Sequence, residues 1–169
     1  MRKKFFFIAF FLCFFAFSSA LAGQSITGTV MQVKDGDTVV VKPDAGGQFF
    51  TCRLYGIDTP EKNQPYGEEA TRELKRLTLG QSISIETTGA KTYGREVCII
   101  KKNGTDINLE MVKRGYAWAY VQYLKRPHAS IYIDAERGKS IKAWAVATDK
   151  SYTALGVEEK VKGVKNVCQ

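Results

Sequence analysis

The sequence predicts a mainly β fold with some α, a small Greek-key barrel of five strands with about three helices. Three observations carry that expectation. Short runs of β-type alternation are separated by turn residues, one clear helical pattern falls between the third and fourth runs, and 169 residues are enough for a single core. A small barrel buries alternate residues and leaves few open strand edges, which suits a chain of this length. An SH3-like barrel gives no reason for the intervening helix. A ferredoxin-like fold wants a helix after the first strand, where this sequence has only a turn.

The chain opens on Arg2, Lys3 and Lys4, runs through the apolar stretch Phe5 to Phe17, and then offers the small residues of Ala20-Leu21-Ala22. That order predicts a cleavable signal peptide over residues 1–22, since the apolar run is shorter than the ~20 residues of a spanning helix. Cleavage lowers the net charge from +8 to +5, because it removes three basic residues and no acid. The expected mature chain is a secreted or periplasmic monomer without stable membrane association. Its single domain covers residues 23–150, and a basic tail covers 151–169. The surplus positive charge favours an anionic partner.

Ile26 to Val33 reads as the first strand, Asp35-Gly36-Asp37-Thr38 as a tight turn, and Val39 to Val41 as the second strand. Phe49 to Tyr55 follows as the third, with Cys52 and Leu54 on one face and Arg53 and Tyr55 on the other. Pro60 and Pro65 mark an irregular loop. From Gly67 the spacing of Ala70, Leu74 and Leu77 predicts a helix ending at Gly80. Ile83 and Ile85 define the fourth strand, Gly89 to Gly94 a loop, and Val97 to Ile100 the fifth strand, closed by Asn103-Gly104. Ile107, Met111 and Val112 suit a short helix capped by Gly115, with Asn108 and Glu110 outside. An aromatic connector, Tyr116 to Tyr123, leads to a last helix over Ala129 to Trp144.

The densest chemistry lies in Arg53-Leu54-Tyr55-Gly56-Ile57-Asp58-Thr59-Pro60-Glu61. If the first three strands form a meander, Asp37 at the hairpin comes beside Asp58. Converging carboxylates call for a cation, and oxygen donors favour calcium or magnesium. Each acid also has an ordinary role in a turn or cap. Glu61, in a proline-restricted loop, is a candidate to handle an attacking water, as general base or as orienting group. Arg53 and Arg95 are permanent cations suited to phosphoryl oxygens, and Tyr93-Gly94-Arg95 allows close backbone approach to an anion. Trp118, Tyr120 and Tyr123 stand among Lys113, Arg114, Lys125 and Arg126, a mixture suited to nucleic acid, although core burial competes for Trp118.

Other chemistries fit poorly. His128 is the single histidine, and Cys52, Cys98 and Cys168 show no CxxC spacing, which argues against closed zinc. The histidine has no serine partner context, so its expected place is the solvent face. No phosphate loop of the nucleotide-hydrolase type is present. For Cys52 and Cys98, an oxidising compartment and strand parity predict a bridge, with a pair of buried thiols as the alternative.

Taken together and in this order, Asp35-Gly36-Asp37-Thr38, the segment Arg53 to Glu61, and Tyr93-Gly94-Arg95 resemble the thermonuclease, or micrococcal nuclease-like, family, from about Ile26 to Trp144. The resemblance implies an OB-fold nuclease that uses one calcium ion to hydrolyse DNA or RNA, leaving 3'-phosphate ends. It implies Asp37 and Asp58 as side-chain metal ligands and Thr59 as a backbone-carbonyl ligand. By the same resemblance Arg53, Glu61 and Arg95 are catalytic, while Tyr93 contacts a substrate phosphate and Tyr120 or Tyr123 supports the bound base. The chain departs from the family pattern at Lys91, where an acid is usual, in the compact loop Glu61 to Gly67, and at Lys142. A non-catalytic nucleic-acid-binding module of the same fold is the alternative function.

Overall fold

The computed structural model describes residues 25–137. The expected signal peptide and basic tail, with Cys168, Lys142 and Trp144, lie outside the described residues. The strands are β1 (Ser25–Val33), β2 (Thr38–Pro43), β3 (Phe50–Leu54), β4 (Ile57–Asp58), β5 (Ser82–Thr92), β6 (Arg95–Lys102), β7 (Thr105–Asp106) and β8 (Trp118–Ala119). The helices are α1 (Gly67–Thr78), α2 (Ile107–Lys113) and α3 (His128–Arg137), with a 3-10 turn at Val121–Tyr123.

The expected five-stranded Greek-key barrel, and the OB-fold implied with it, is corrected by this strand arrangement. Six strands form one sheet in the order β3-β2-β1-β5-β6-β7, and β4 with β8 makes a separate two-stranded ribbon. The sheet is antiparallel except where β3 runs parallel to β6, with Cys52 opposite Glu96 and Leu54 opposite Cys98. The architecture is a mixed α/β fold with three α-helices. The miscount has a physical origin: β4, β7 and β8 are two residues each, too short for any alternation to register.

Within the sheet, side-chain parity does most of the positioning. Val30 and Val33 both face the core although their offset is three positions, an odd number, because the β1–β2 register shifts between Val30 and Gln32. The bulge absorbs Met31 and turns it outward. Cys52 and Leu54 point inward as their alternation predicts, leaving Arg53 on the opposite face. The expected loop from Gly89 to Gly94 is also corrected: β5 continues to Thr92 through an irregularity between Thr87 and Lys91, and only Tyr93-Gly94 turns. Cys52 and Cys98 form a disulfide, with Cα atoms 5.9 Å apart, pinning β3 to β6 beneath that hairpin.

The helices close the core from outside the sheet. Ala70 and Leu74 of α1, Met111 and Val112 of α2, and Tyr132 and Ile133 of α3 join Val39, Val41, Leu54, Ile85 and Ile100 in one cluster. In α1, Glu68 and Glu69 occupy the first turn and Lys75 and Arg76 the last, in the favourable sense for the helix dipole. Asp106 caps α2 by accepting from the Leu109 N–H at 3.0 Å, and it also accepts from the Tyr132 hydroxyl at 3.0 Å. One carboxylate thus docks α3 onto α2. Burial first, and then Asp106, raise the Tyr132 pKa, so its phenol stays protonated as a donor.

Asn108 reverses its expected outward place. It is fully buried, its amide donates to the Tyr55 and Cys98 carbonyls at 3.0 Å each, and its oxygen accepts from the Ile100 N–H at 3.2 Å. The side chain therefore ties the exit of β3 to β6. Leucine at this position would leave three backbone groups without that partner in a dry interior, at a cost of about 2–4 kcal/mol. Thermal melts of Asn108→Leu are expected to show a correspondingly lower midpoint. No helix among the described residues is long and apolar enough to cross a membrane.

Candidate active site

The site is built where the β1–β2 hairpin, the end of β3 and the loop after β4 meet. At the hairpin, Asp35 Oδ1 accepts from the Asp37 N–H at 3.1 Å, and the Lys34 N–H donates to the Thr38 carbonyl at 2.9 Å. Gly36 has to be small: a β-carbon there would lie 2.7 Å from Thr59 Oγ1 and 2.8 Å from Ala70 Cβ. The hairpin tip consequently seats directly against α1 and the loop after β4. This contact carries Asp37 beside Thr59, whose hydroxyl donates to Asp37 Oδ2 at 3.2 Å.

Arg53 organises the acids. Its NH1 donates to the carbonyls of Leu54 at 2.8 Å and Ile57 at 2.9 Å, so the turn out of β3 is wrapped around the guanidinium. Its NH2 lies 2.9 Å from Asp37 Oδ2 and 3.5 Å from Asp58 Oδ1. The two carboxylates thus converge on a single nitrogen. Arg95 stands on the other flank, donating to the Thr92 carbonyl at 3.3 Å and to Thr38 Oγ1 at 3.5 Å. Thr38 in turn donates to Asp37 Oδ1 at 3.0 Å. Both arginines therefore reach the same carboxylate, one directly and one through a hydroxyl.

Asp37 is only 7 % exposed. Burial, opposed by Arg53 and reinforced by Asp35, pushes its pKa up to about 7. Burial therefore favours the neutral acid even with the Arg53 guanidinium beside it. Asp37, Asp58 and Thr59 present hard oxygen donors, a set that fits calcium or magnesium rather than a thiophilic metal. Among the described residues no group of three or more His, Cys, Asp or Glu side chains gathers as a metal cluster.

All of the sequence-predicted side chains except Thr59 line one cavity of about 1030 Å³: Asp37, Arg53, Asp58, Glu61, Tyr93, Arg95, Tyr120 and Tyr123. Thr59 sits behind the wall, buried against Asp37. Glu61 is exposed at the rim. Tyr93 is 96 % exposed, held out by a turn in which both it and Gly94 take positive φ, 47° and 74°. Tyr120 and Tyr123 meet edge to face with centroids 4.7 Å apart. Burial chiefly, then Tyr123 and Asp58, raise the Tyr120 pKa, so the Tyr120 phenol stays protonated.

Several residues of the cavity escape sequence reasoning. Asp35 was visible in the turn motif, but its role in holding the Asp37 backbone was not. Lys91 lines the rim and pairs with Glu96 at 2.7 Å across the hairpin. His128, expected to face solvent, is half-buried at the cavity edge, against Tyr55 and Tyr132. Its proximity depends on Tyr55, whose hydroxyl accepts from the Lys125 N–H at 2.8 Å, a contact across 70 residues of sequence. Trp118 is only partly buried, and its backbone pairs with that of Asp58 in the ribbon.

Residues 51–142 match the family model described as staphylococcal nuclease homologue. The chain belongs to this family. It is 34 % identical over 137 residues to a protein of Haemophilus influenzae named as an uncharacterized endonuclease, covering 79 % of this chain and 75 % of that one. A micrococcal nuclease of Shigella flexneri is 32 % identical over 123 residues, 68 % of this chain and 70 % of its own. A staphylococcal-like nuclease of Arabidopsis thaliana is 38 % identical over 96 residues, and this chain spans 30 % of its length. Family membership supports a nuclease-type function for the chain.

Proposed function

We propose that the protein is a secreted or periplasmic, calcium-dependent nuclease that hydrolyses phosphodiester bonds of DNA or RNA and leaves 3'-phosphate ends. The observation that carries this reading is the convergence of Asp37 and Asp58 on Arg53, with Arg95 and Glu61 facing the same cavity. A pair of acids alone is an ordinary surface feature. Two acids, two arginines and a third acid around one cavity match the needs of phosphoryl transfer.

Asp37, Asp58 and the Thr59 carbonyl would hold the calcium ion. When bound, the ion supplies positive charge against the scissile phosphate. Arg53 and Arg95 direct guanidinium hydrogen bonds at the non-bridging oxygens, where negative charge grows as water adds to phosphorus. Glu61 orients that water or takes its proton. Rupture of the bond from phosphorus to the 5' oxygen then leaves phosphate on the 3' side. Tyr93 contacts a neighbouring phosphate from the hairpin turn, and Tyr120 with Tyr123 supports a base. The basic charge of the chain draws either nucleic acid toward the groove. The N-terminal segment and the Cys52–Cys98 bridge both suit an oxidising compartment.

Digestion of supercoiled plasmid and of a labelled RNA, each with calcium, magnesium or chelator, tests the reading. Cleavage in calcium and its loss on chelation are expected, with product ends that accept a label only after phosphatase treatment of the 3' terminus. Full activity after rigorous chelation would remove the proposed metal dependence.

A further inference from the structure

Glu61 is an exposed side chain on a loop, yet its proposed task demands a defined place. The contacts that fix it run through its backbone. Its N–H donates to Gln64 Oε1 at 2.8 Å, and its carbonyl accepts from the Gln64 N–H at 2.8 Å. Gln64 thus grips both peptide groups of Glu61, one with its side chain and one with its main chain. The Gln64 carbonyl then accepts from the Gly67 N–H at 3.0 Å, which links the grip to the first residue of α1.

That junction is unusually close. A β-carbon on Gly67 would lie 1.8 Å from the Glu61 carbonyl oxygen and 2.5 Å from its carbon, so the Glu61 peptide rests on the bare α-carbon of Gly67. The helix behind it does not drift. Ala70 and Leu74 are fully buried, and the Thr71 hydroxyl donates to the Gly67 carbonyl at 2.8 Å. Pro60 precedes the loop between the two ends and Pro65 lies within it, each with a restricted φ. The compact segment from Glu61 to Gly67 is therefore a clasp that references one carboxylate to the core.

We propose that Gln64 is a positioning residue for Glu61, acting through the Glu61 N–H, with Gly67 as the seat that lets the clasp close. The inference rests on the reading of Glu61 as the group that handles the attacking water. Displacing a catalytic group by a fraction of its reach is costly in rate while leaving substrate contacts alone, since those lie on Arg53, Arg95 and the tyrosines.

The test compares Gln64→Met, which keeps length but cannot accept, with Gln64→Glu, whose carboxylate still accepts from the Glu61 N–H. Glu61→Gln and the double variant Glu61→Gln with Gln64→Met complete the set. Steady-state kinetics on a short labelled DNA, calcium titration and thermal midpoints are measured on the full mature chain. Gln64→Met is expected to lower kcat by about 10- to 100-fold with KM and the calcium midpoint unchanged. Gln64→Glu is expected to recover most of that loss, and the double variant to be no slower than Glu61→Gln alone. A wild-type kcat in Gln64→Met, or a loss that multiplies in the Glu61→Gln background, overturns the inference. A wild-type kcat in Glu61→Gln instead overturns the reading of Glu61, and the two failures are distinguishable by which variant stays active.

Discussion

Arg95→Ala is expected to lower kcat by about 10³-fold while leaving the fold intact, whereas Arg53→Ala loses activity and stability together. The difference follows from what each guanidinium touches. Arg95 makes two long contacts, to the Thr92 carbonyl and the Thr38 hydroxyl, and faces the cavity. Arg53 holds two backbone carbonyls and two carboxylates. Removing it strands Asp37 and Asp58 beside each other and releases the turn that presents Asp58. Arg53→Lys should keep part of the neutralising charge and lose the fork that serves carbonyls and acids at once. Chemical denaturation beside single-turnover kinetics separates the two variants. Equal stability losses in Arg95→Ala and Arg53→Ala would contradict the division of labour.

Asp37→Asn is expected to make the metal-free protein more stable at pH 8 by roughly 2 kcal/mol, and to weaken calcium binding by at least about tenfold. The carboxyl has its pKa raised from 3.8 to about 7, with burial as the largest cause. Between those values the folded chain keeps a proton that the unfolded chain has released. The Asp37 contribution to stability is therefore full below about pH 4 and is lost as the pH rises through 7. Asparagine carries no charge to desolvate, and its single amide oxygen accepts from one of the Thr38 and Thr59 hydroxyls, which donate to different oxygens of Asp37. In chelator, the wild-type and Asp37→Asn unfolding free energies should converge on acidification and diverge above neutrality. A pH-independent difference would mean that the buried charge is not its source. Calcium should reverse the order, because only the wild-type side chain offers the ion a full negative charge.

The two predictions rest on parts of the molecule that differ in how well the sequence shows them. Asp37, Arg53, Asp58, Glu61 and Arg95 stand in short segments where several functional residue types crowd together, and the structure brings them to one cavity. The alternation of Cys52 and Leu54 against Arg53 foretold which face of β3 would meet the acids. Chain segments whose form depends on distant partners were not legible. Gly89 reads locally as a loop residue but lies in β5, inside an irregularity whose flanks, Thr87 and Lys91, pair with β6. Asn108 reads as a polar surface residue and is instead buried by the carbonyls it serves. Met31 shifts parity by a bulge that only the facing strand reveals. His128 reaches the cavity because a tyrosine far upstream anchors the preceding segment.

The strands of two residues that escaped notice have a mechanical result. Asp58 and Trp118 pair through the main chain, and the Tyr120 N–H donates to the Gly56 carbonyl at 2.8 Å. The Asp58 carboxylate and the Tyr120 phenol are therefore mounted on a common backbone truss. Main-chain hydrogen bonds set the distance between their α-carbons, so the acid and the ring that line the same cavity share one rigid mount.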